Sequence, residues 1–180
     1  MTCIVGLVDN NTKKVFMGAD SAGVSGLGLQ VRADQKIFDN NGFLMGFTTS
    51  FRMGQLLRYS FKPPKYRETE TDLMAYMVKD FIDAVRKCLK DGGFAKKDNE
   101  VERGGCFLVA HSGRLFCVEG DYQVGETIDG YDAIGCGREY ALGSIYSTTD
   151  LNPNQRIEKA LKSAAKFSAG VCEPFHIMSI

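Results

Sequence analysis

Tryptophan is absent from the 180 residues, histidine occurs only twice, and neither sign of charge predominates, since 22 Lys and Arg balance 22 Asp and Glu. With no basic run or stripe, the chain has no electrostatic footprint for a phosphate backbone, so nucleic acid is not an expected partner. No apolar run approaches the roughly 18 residues that a bilayer span needs. The N-terminus lacks the charged and apolar regions of a secretory signal, so a cytoplasmic chain without membrane contact is expected. There is no low-complexity tract and no internal repeat. The six cysteines, Cys3, Cys88, Cys106, Cys117, Cys136 and Cys172, include no C-x-x-C pair, and His111 and His176 are far apart, so spacing supports no metal site. Most of these thiols sit among apolar neighbours and read as small buried hydrophobes. A Gly-Lys-Ser or Gly-Lys-Thr phosphate loop is missing, and Gly135-x-Gly137 fails as a dinucleotide fingerprint because Tyr140 follows. No cofactor is expected. His111 has no serine or acid at a recognisable triad spacing and reads as structural.

What is present is an ordinary core-forming composition, 44% hydrophobic and 24% charged, sufficient for one domain over residues 1–180. Thr2 to Val8 and Lys14 to Ala19 read as strands of a hairpin about Asp9-Asn10-Asn11-Thr12. Ser21 to Gly28 reads as a glycine-rich loop. Val31 to Phe38 and Phe43 to Phe47 read as a second hairpin about Asp39-Asn40-Asn41-Gly42. From Ser50 the period becomes helical until Pro63-Pro64. A longer helix is expected from Thr71 to Lys90, with Met74, Val78, Phe81, Ile82, Val85 and Leu89 as its apolar stripe and Gly92-Gly93 as its stop. Phe94 to Gly104 reads as a mobile surface loop. Cys106 to Ala110 and Leu115 to Glu119 are expected strands, with Gln123 to Ile128 adding a short third. Tyr131 to Ile134 leads through Gly135-Cys136-Gly137 into a helix ending at Tyr146. Asn152 as N-cap and Pro153 open the next helix, with Ile157, Ala160, Leu161, Ala164 and Ser168 inward, and Phe175 to Ile180 closes as a strand.

Strands and helices thus come in blocks and do not alternate singly. This argues against a doubly wound parallel sheet and for α+β architecture, antiparallel sheets with paired helices outside.

The chemistry-bearing candidates begin at the N-terminus. If Met1 is trimmed, the free α-amine of Thr2, with a reference pKa of about 7.7 to 8, sits beside its own Oγ, so one residue supplies both nucleophile and base. Many chains begin Met-Thr without chemical consequence, so this pair needs support from downstream. Asp20, ending the second strand, and Lys36, inside the third, would form a charge pair beside Thr2 if they share one end of neighbouring strands. The other reading is two solvated surface charges.

Thr2 after a lone Met, the strand-ending Gly18-Ala19-Asp20-Ser21, the pair Lys36-Ile37, the strand end Gly46-Phe47 before a helix, and Ala133-Ile134-Gly135-Cys136-Gly137 before another helix fall in one family's order. Over essentially its full length the chain resembles proteasome β-type subunits, most closely the short HslV type of the N-terminal-nucleophile hydrolases. The resemblance implies a four-layer αββα sandwich, two antiparallel sheets flanked by helix pairs. It implies Thr2 as nucleophile, Asp20 and Lys36 as its helpers, and Cys136 where the family has a serine near the terminal amine. It places substrate contacts at Val24, Thr49 and Ser50, with the Thr49 N–H as oxyanion donor in a turn, Thr48-Thr49-Ser50, that lacks the family's glycines. An aspartate and serine that many members carry before the last strand are not evident in Gly170-Val171-Cys172-Glu173-Pro174, where Glu173 is a loose substitute. The expected function is a threonine-type endopeptidase cleaving polypeptide substrates within a homo-oligomeric ring, with an AAA-type unfoldase as partner. A catalytically silent shell or assembly protein, or an amidase acting on a small molecule, are the alternatives.

Overall fold

The computed structural model describes residues 1–69 and 71–180. Its first sheet holds four strands in the spatial order β12-β1-β2-β13, where β1 is Cys3–Val8, β2 is Val15–Ala19, β12 is Tyr131–Gly135 and β13 is His176–Ser179. All its pairings are antiparallel. The second sheet holds five, ordered β11-β10-β9-β6-β5, from β5 (Ile37–Asn40), β6 (Phe43–Phe47), β9 (Phe107–His111), β10 (Arg114–Val118) and β11 (Val124–Gly125). These pairings are antiparallel as well. Two small hairpins stand apart, β3 (Ala22–Ser25) with β4 (Gly28–Val31), and β7 (Lys96–Asp98) with β8 (Val101–Arg103).

Three apolar clusters separate four layers. Ile4, Met17, Ile37, Leu44, Leu108 and Ile134 fill the space between the sheets. On the outer face of the first sheet, Cys3 and Val5 meet Ala141 and Ile145 of α4 (Arg138–Tyr146) and Ile157, Leu161 and Ala164 of α5 (Pro153–Phe167). On the outer face of the second, Phe43, Met45, Phe47 and Val109 meet α1 (Phe51–Tyr59) and the long helical segment that follows it. Strand alternation thus supplies each sheet with two apolar faces, one for the other sheet and one for a helix pair. The architecture is the four-layer αββα sandwich expected from the resemblance.

The long helical segment is interrupted. It comprises α2 (Leu73–Tyr76), a π-helical turn (Met77–Phe81) and α3 (Ile82–Asp91). The wider turn rotates everything before it by about one residue, so Leu73, Tyr76 and Met77 are buried while Val78, expected in the apolar stripe, is half exposed. Ser21 to Gly28, expected as a loop, contributes to the β3–β4 hairpin, turning at Gly26, whose φ is +57°. The expected strand from Val31 to Phe38 is broken: β4 ends at Val31, and the next strand begins only at Ile37. Residues 94–104 contain the β7–β8 hairpin, a charged and largely exposed ladder that no apolar alternation announces. The α5 boundary is as read, since Asn152 and Gln155 form a capping box and Pro153 takes the first turn.

His111 packs structurally: its ring stacks 3.9 Å from that of Phe43, and its Nδ1 lies 2.8 Å from the Gly42 carbonyl oxygen. Among the described residues, no helix is long and apolar enough to cross a membrane.

The second sheet is tied to the end of α1 by buried Asn40, whose side-chain amide donates to the carbonyls of Leu57 at 2.9 Å and Phe61 at 3.0 Å. Asn40→Ala strips two buried carbonyls of their donor and is expected to cost about 1–3 kcal/mol, read from the urea midpoint at unchanged m-value.

Candidate active site

The antiparallel register of β1 and β2 opposes Ile4 to Ala19, which brings Asp20 alongside Cys3 and next to Thr2. The main chains meet there, Asp20 N–H donating to the Cys3 carbonyl at 3.2 Å. The Asp20 carboxylate is fully buried and closely surrounded by donors. Its Oδ1 accepts from Cys3 N at 2.9 Å and from Lys36 Nζ at 2.8 Å; its Oδ2 accepts from Ala22 N at 2.8 Å and Cys172 N at 3.4 Å. Such donors offset the desolvation that otherwise makes a buried carboxylate unfavourable.

Lys36 reaches this group from the other sheet. It occupies the bend just before β5, not the interior of a strand, so the ion pair joins the two sheets at the open end of the sandwich and does not link neighbouring strands. The side chain is 1% exposed, and its ammonium lies 5.9 Å from the centre of the Phe51 ring. The alternative of two solvated charges is excluded by this burial.

Thr2 is itself buried, and its Oγ1 donates to the Met1 carbonyl. Its main-chain N lies 3.3 Å from Cys136 Sγ, and its carbonyl receives Gly137 N–H at 3.3 Å. The turn between β12 and α4 can approach so closely because Gly135 has a φ of +94° and no side chain; a Cβ there would fall 2.2 Å from the Thr2 carbonyl oxygen. Cys136 Sγ in turn accepts from Ser168 Oγ at 3.2 Å. Ser168 is a neighbour that the sequence reading had placed only on the inner face of a helix. It caps α5, and no local signal marks it as part of this group. Glu173 is exposed and contributes instead to the field around Lys162 on the surface.

Cys3, adjacent to Thr2, is a poor competitor as nucleophile. Burial first, then the neighbouring Asp20 and Cys136, push its thiol up to about 12, so it stays protonated at neutral pH.

In front of Thr2 lies a small cleft of roughly 70 Å³, lined by Val24, Phe47, Thr49, Ser50 and Phe51 together with the first two residues. The three residues assigned to substrate contact therefore line the same cleft as Thr2. The cleft continues past Val24 and Phe51 into a wider depression of about 430 Å³ along the β3–β4 hairpin, where the Arg32 guanidinium covers the Phe51 ring at 4.3 Å. Thr49 adopts a φ of +71° and is held there because its Oγ1 accepts from Cys106 N at 3.2 Å. That bond turns the side chain toward β9 and leaves the Thr49 N–H without a partner among the described residues. Ser50 is the N-cap of α1, its side chain accepting from Arg52 N at 3.1 Å.

No protein-family model and no curated protein sequence matches the chain. Solved structures do. The BPH protein of Thiobacillus denitrificans in complex with epoxomicin superposes with a TM-score of 0.80 at 19% identity, covering 99% of this chain and 98% of that one. A second structure of BPH from the same organism gives 0.79 at 20% identity over 100% and 97% of the two chains. The eukaryotic HslV of Trypanosoma brucei gives 0.69 at 16% identity over 99% and 98%. The chain has the HslV and proteasome-type N-terminal-nucleophile hydrolase fold over its whole length.

Removing one member of the buried pair leaves the other charged and unpaired. Lys36→Met is expected to lower unfolding free energy by about 3–5 kcal/mol in urea titrations. A loss below about 1 kcal/mol would show that Asp20 does not depend on this ammonium.

Proposed function

We propose that the chain is a threonine-type N-terminal-nucleophile peptidase subunit that acts after removal of Met1. The observation that carries this reading is the buried Asp20–Lys36 pair, one partner from each sheet, bonded to the main chain of Cys3 directly after Thr2, which itself lines a cleft. With Met1 gone, the Thr2 nitrogen becomes an amine beside its own Oγ and takes the hydroxyl proton as the oxygen attacks a peptide carbonyl. Lys36 carries three donors, one of them engaged by Asp20, and its fixed positive charge lowers the cost of developing alkoxide character. Asp20 acts as a positioning residue, holding the ammonium and the start of β1 together. The unpartnered Thr49 N–H faces the tetrahedral oxyanion, and an acyl-enzyme ester on Thr2 Oγ is then hydrolysed by water. Cys136 stands near the nascent amine and helps to orient it, and Ser168 orients Cys136.

The depression beyond Val24 suits an extended polypeptide lying beside β3, with side chains alternating toward Thr49 and Ser50 on one side and toward the hairpin on the other. The complex of BPH with epoxomicin supports a ligand-accepting site on this fold. By likeness to HslV, we place the subunit in a homo-oligomeric ring in the cytoplasm, fed by an AAA-type unfoldase.

Hydrolysis of short fluorogenic peptides by the Met1-free protein is expected to fall by about 10³-fold or more in Thr2→Ala, with the far-ultraviolet circular dichroism unchanged. Equal rates for the two proteins would remove the peptidase reading and leave an inert ring component.

A further inference from the structure

The β9–β10 hairpin gathers a second group of reactive side chains that the peptidase reading does not use. Cys117 stands opposite Leu108, so Cys106, two residues earlier and just before β9, presents its side chain on the same face, diagonal to Cys117. Glu119, two residues beyond Cys117, falls on that face as well. The two Sγ atoms and a Glu119 carboxylate oxygen all lie within 4.8 Å of one another, and Cys117 Sγ is 3.5 Å from Glu119 Oε1. Cys117 is buried at the edge of the inter-sheet cluster, Cys106 is half-buried beside it, and Glu119 is exposed. The group thus has a dry side and an open side.

We propose that Cys106, Cys117 and Glu119 bind a thiophilic divalent ion of the zinc class. A tetrahedral zinc ion with bonds of about 2.3 Å to sulfur and about 2.0–2.2 Å to oxygen holds its ligand atoms roughly 3.5–3.8 Å apart, within small side-chain rotations of the observed group. Two thiolates select zinc over magnesium or calcium, and the fourth position, on the exposed side, is open to water. Asp132 of β12 adds negative charge near Cys117 and Glu119, although its carboxylate also faces Arg138 at 3.6 Å. A disulfide fits less well. Diagonal positions on an antiparallel ladder have Cα atoms about 7–8 Å apart, beyond the usual disulfide span of about 4.4–6.8 Å. The ion also has a mechanical consequence. The main chain of Cys106 receives Thr48 N–H at 3.0 Å and donates to Thr49 Oγ1 at 3.2 Å, so a metal bond at its Sγ fixes the segment before β9 to which the Thr48–Thr49 turn is hydrogen-bonded.

The test is a titration of the full chain with Co²⁺, kept reduced by a phosphine, followed by displacement with Zn²⁺. One equivalent of Co²⁺ is expected to give a sulfur-to-cobalt charge-transfer band that Zn²⁺ abolishes, and Cys106→Ser and Cys117→Ser are each expected to lose it. Glu119→Gln, at an exposed position that leaves the fold intact, is expected to weaken Zn²⁺ binding about tenfold or more. The proposal is overturned if the reduced wild type shows no band, if the band persists in the Cys106→Ser/Cys117→Ser protein, or if Glu119→Gln binds Zn²⁺ as tightly as wild type. The last comparison stands even if the cysteine variants fail to fold.

Discussion

The contact between Asp20 and Lys36 is the constraint on which the rest of the site depends. One partner comes from the end of β2 in the first sheet and the other from the bend before β5 in the second, and both are removed from water. Apolar packing between sheets is tolerant of small slides, whereas a carboxylate that accepts from Cys3, Ala22, Cys172 and the lysine has little freedom left. It sets the relative position of the two sheets at the end where Thr2 emerges. A buried pair of this kind adds little net stability over a hydrophobic one, and its value here is registration.

From that fixed end, three further features shape the cleft. The β12–α4 turn folds over the start of β1, made possible by Gly135, and delivers Cys136 to the Thr2 nitrogen. The β6–α1 connection bends through Thr49 in a left-handed conformation, lines the cleft and leaves the Thr49 N–H without a partner among the described residues. The β3–β4 hairpin supplies Val24 to the lining. A nucleophile, a charge to activate it, a donor for an oxyanion and a groove for an extended chain are the parts that acyl transfer requires. In the proposed mechanism they come from four separate segments: the N-terminus, the bend before β5, the β6–α1 connection and the β3–β4 hairpin.

Much of this was legible in the chain itself. Hydrophobic alternation and the Asn- and Gly-rich turns marked most strands of the two main sheets, and the block order of elements gave the antiparallel class. The capping residues of α5 gave its start within a residue. Thr2, Asp20 and Lys36 were readable as candidates because their positions relative to strand ends matched a known family. What sequence did not carry was anything decided by tertiary approach. The π turn that rotates Val78 outward has no composition signature, because a wider turn depends on how the helix seats on the second sheet. Lys36 was assigned to a strand running from Val31 to Phe38, yet the backbone bends at Lys36 and the strand begins only at Ile37. Ser168 and the grouping of Cys106 with Cys117 were hidden for the same reason: side chains that meet only after folding leave no spacing motif.

The central claim is that the Thr2 amine and hydroxyl act as one nucleophilic unit beside the Lys36 ammonium. Intact-mass and N-terminal peptide spectrometry of the protein, acid-quenched during turnover of an activated peptide ester, tests it most directly. The account predicts an acyl adduct on a peptide that begins at Thr2, with Met1 absent. A chain that begins at Thr2 and never carries the acyl group, or an adduct borne by another residue, would contradict it.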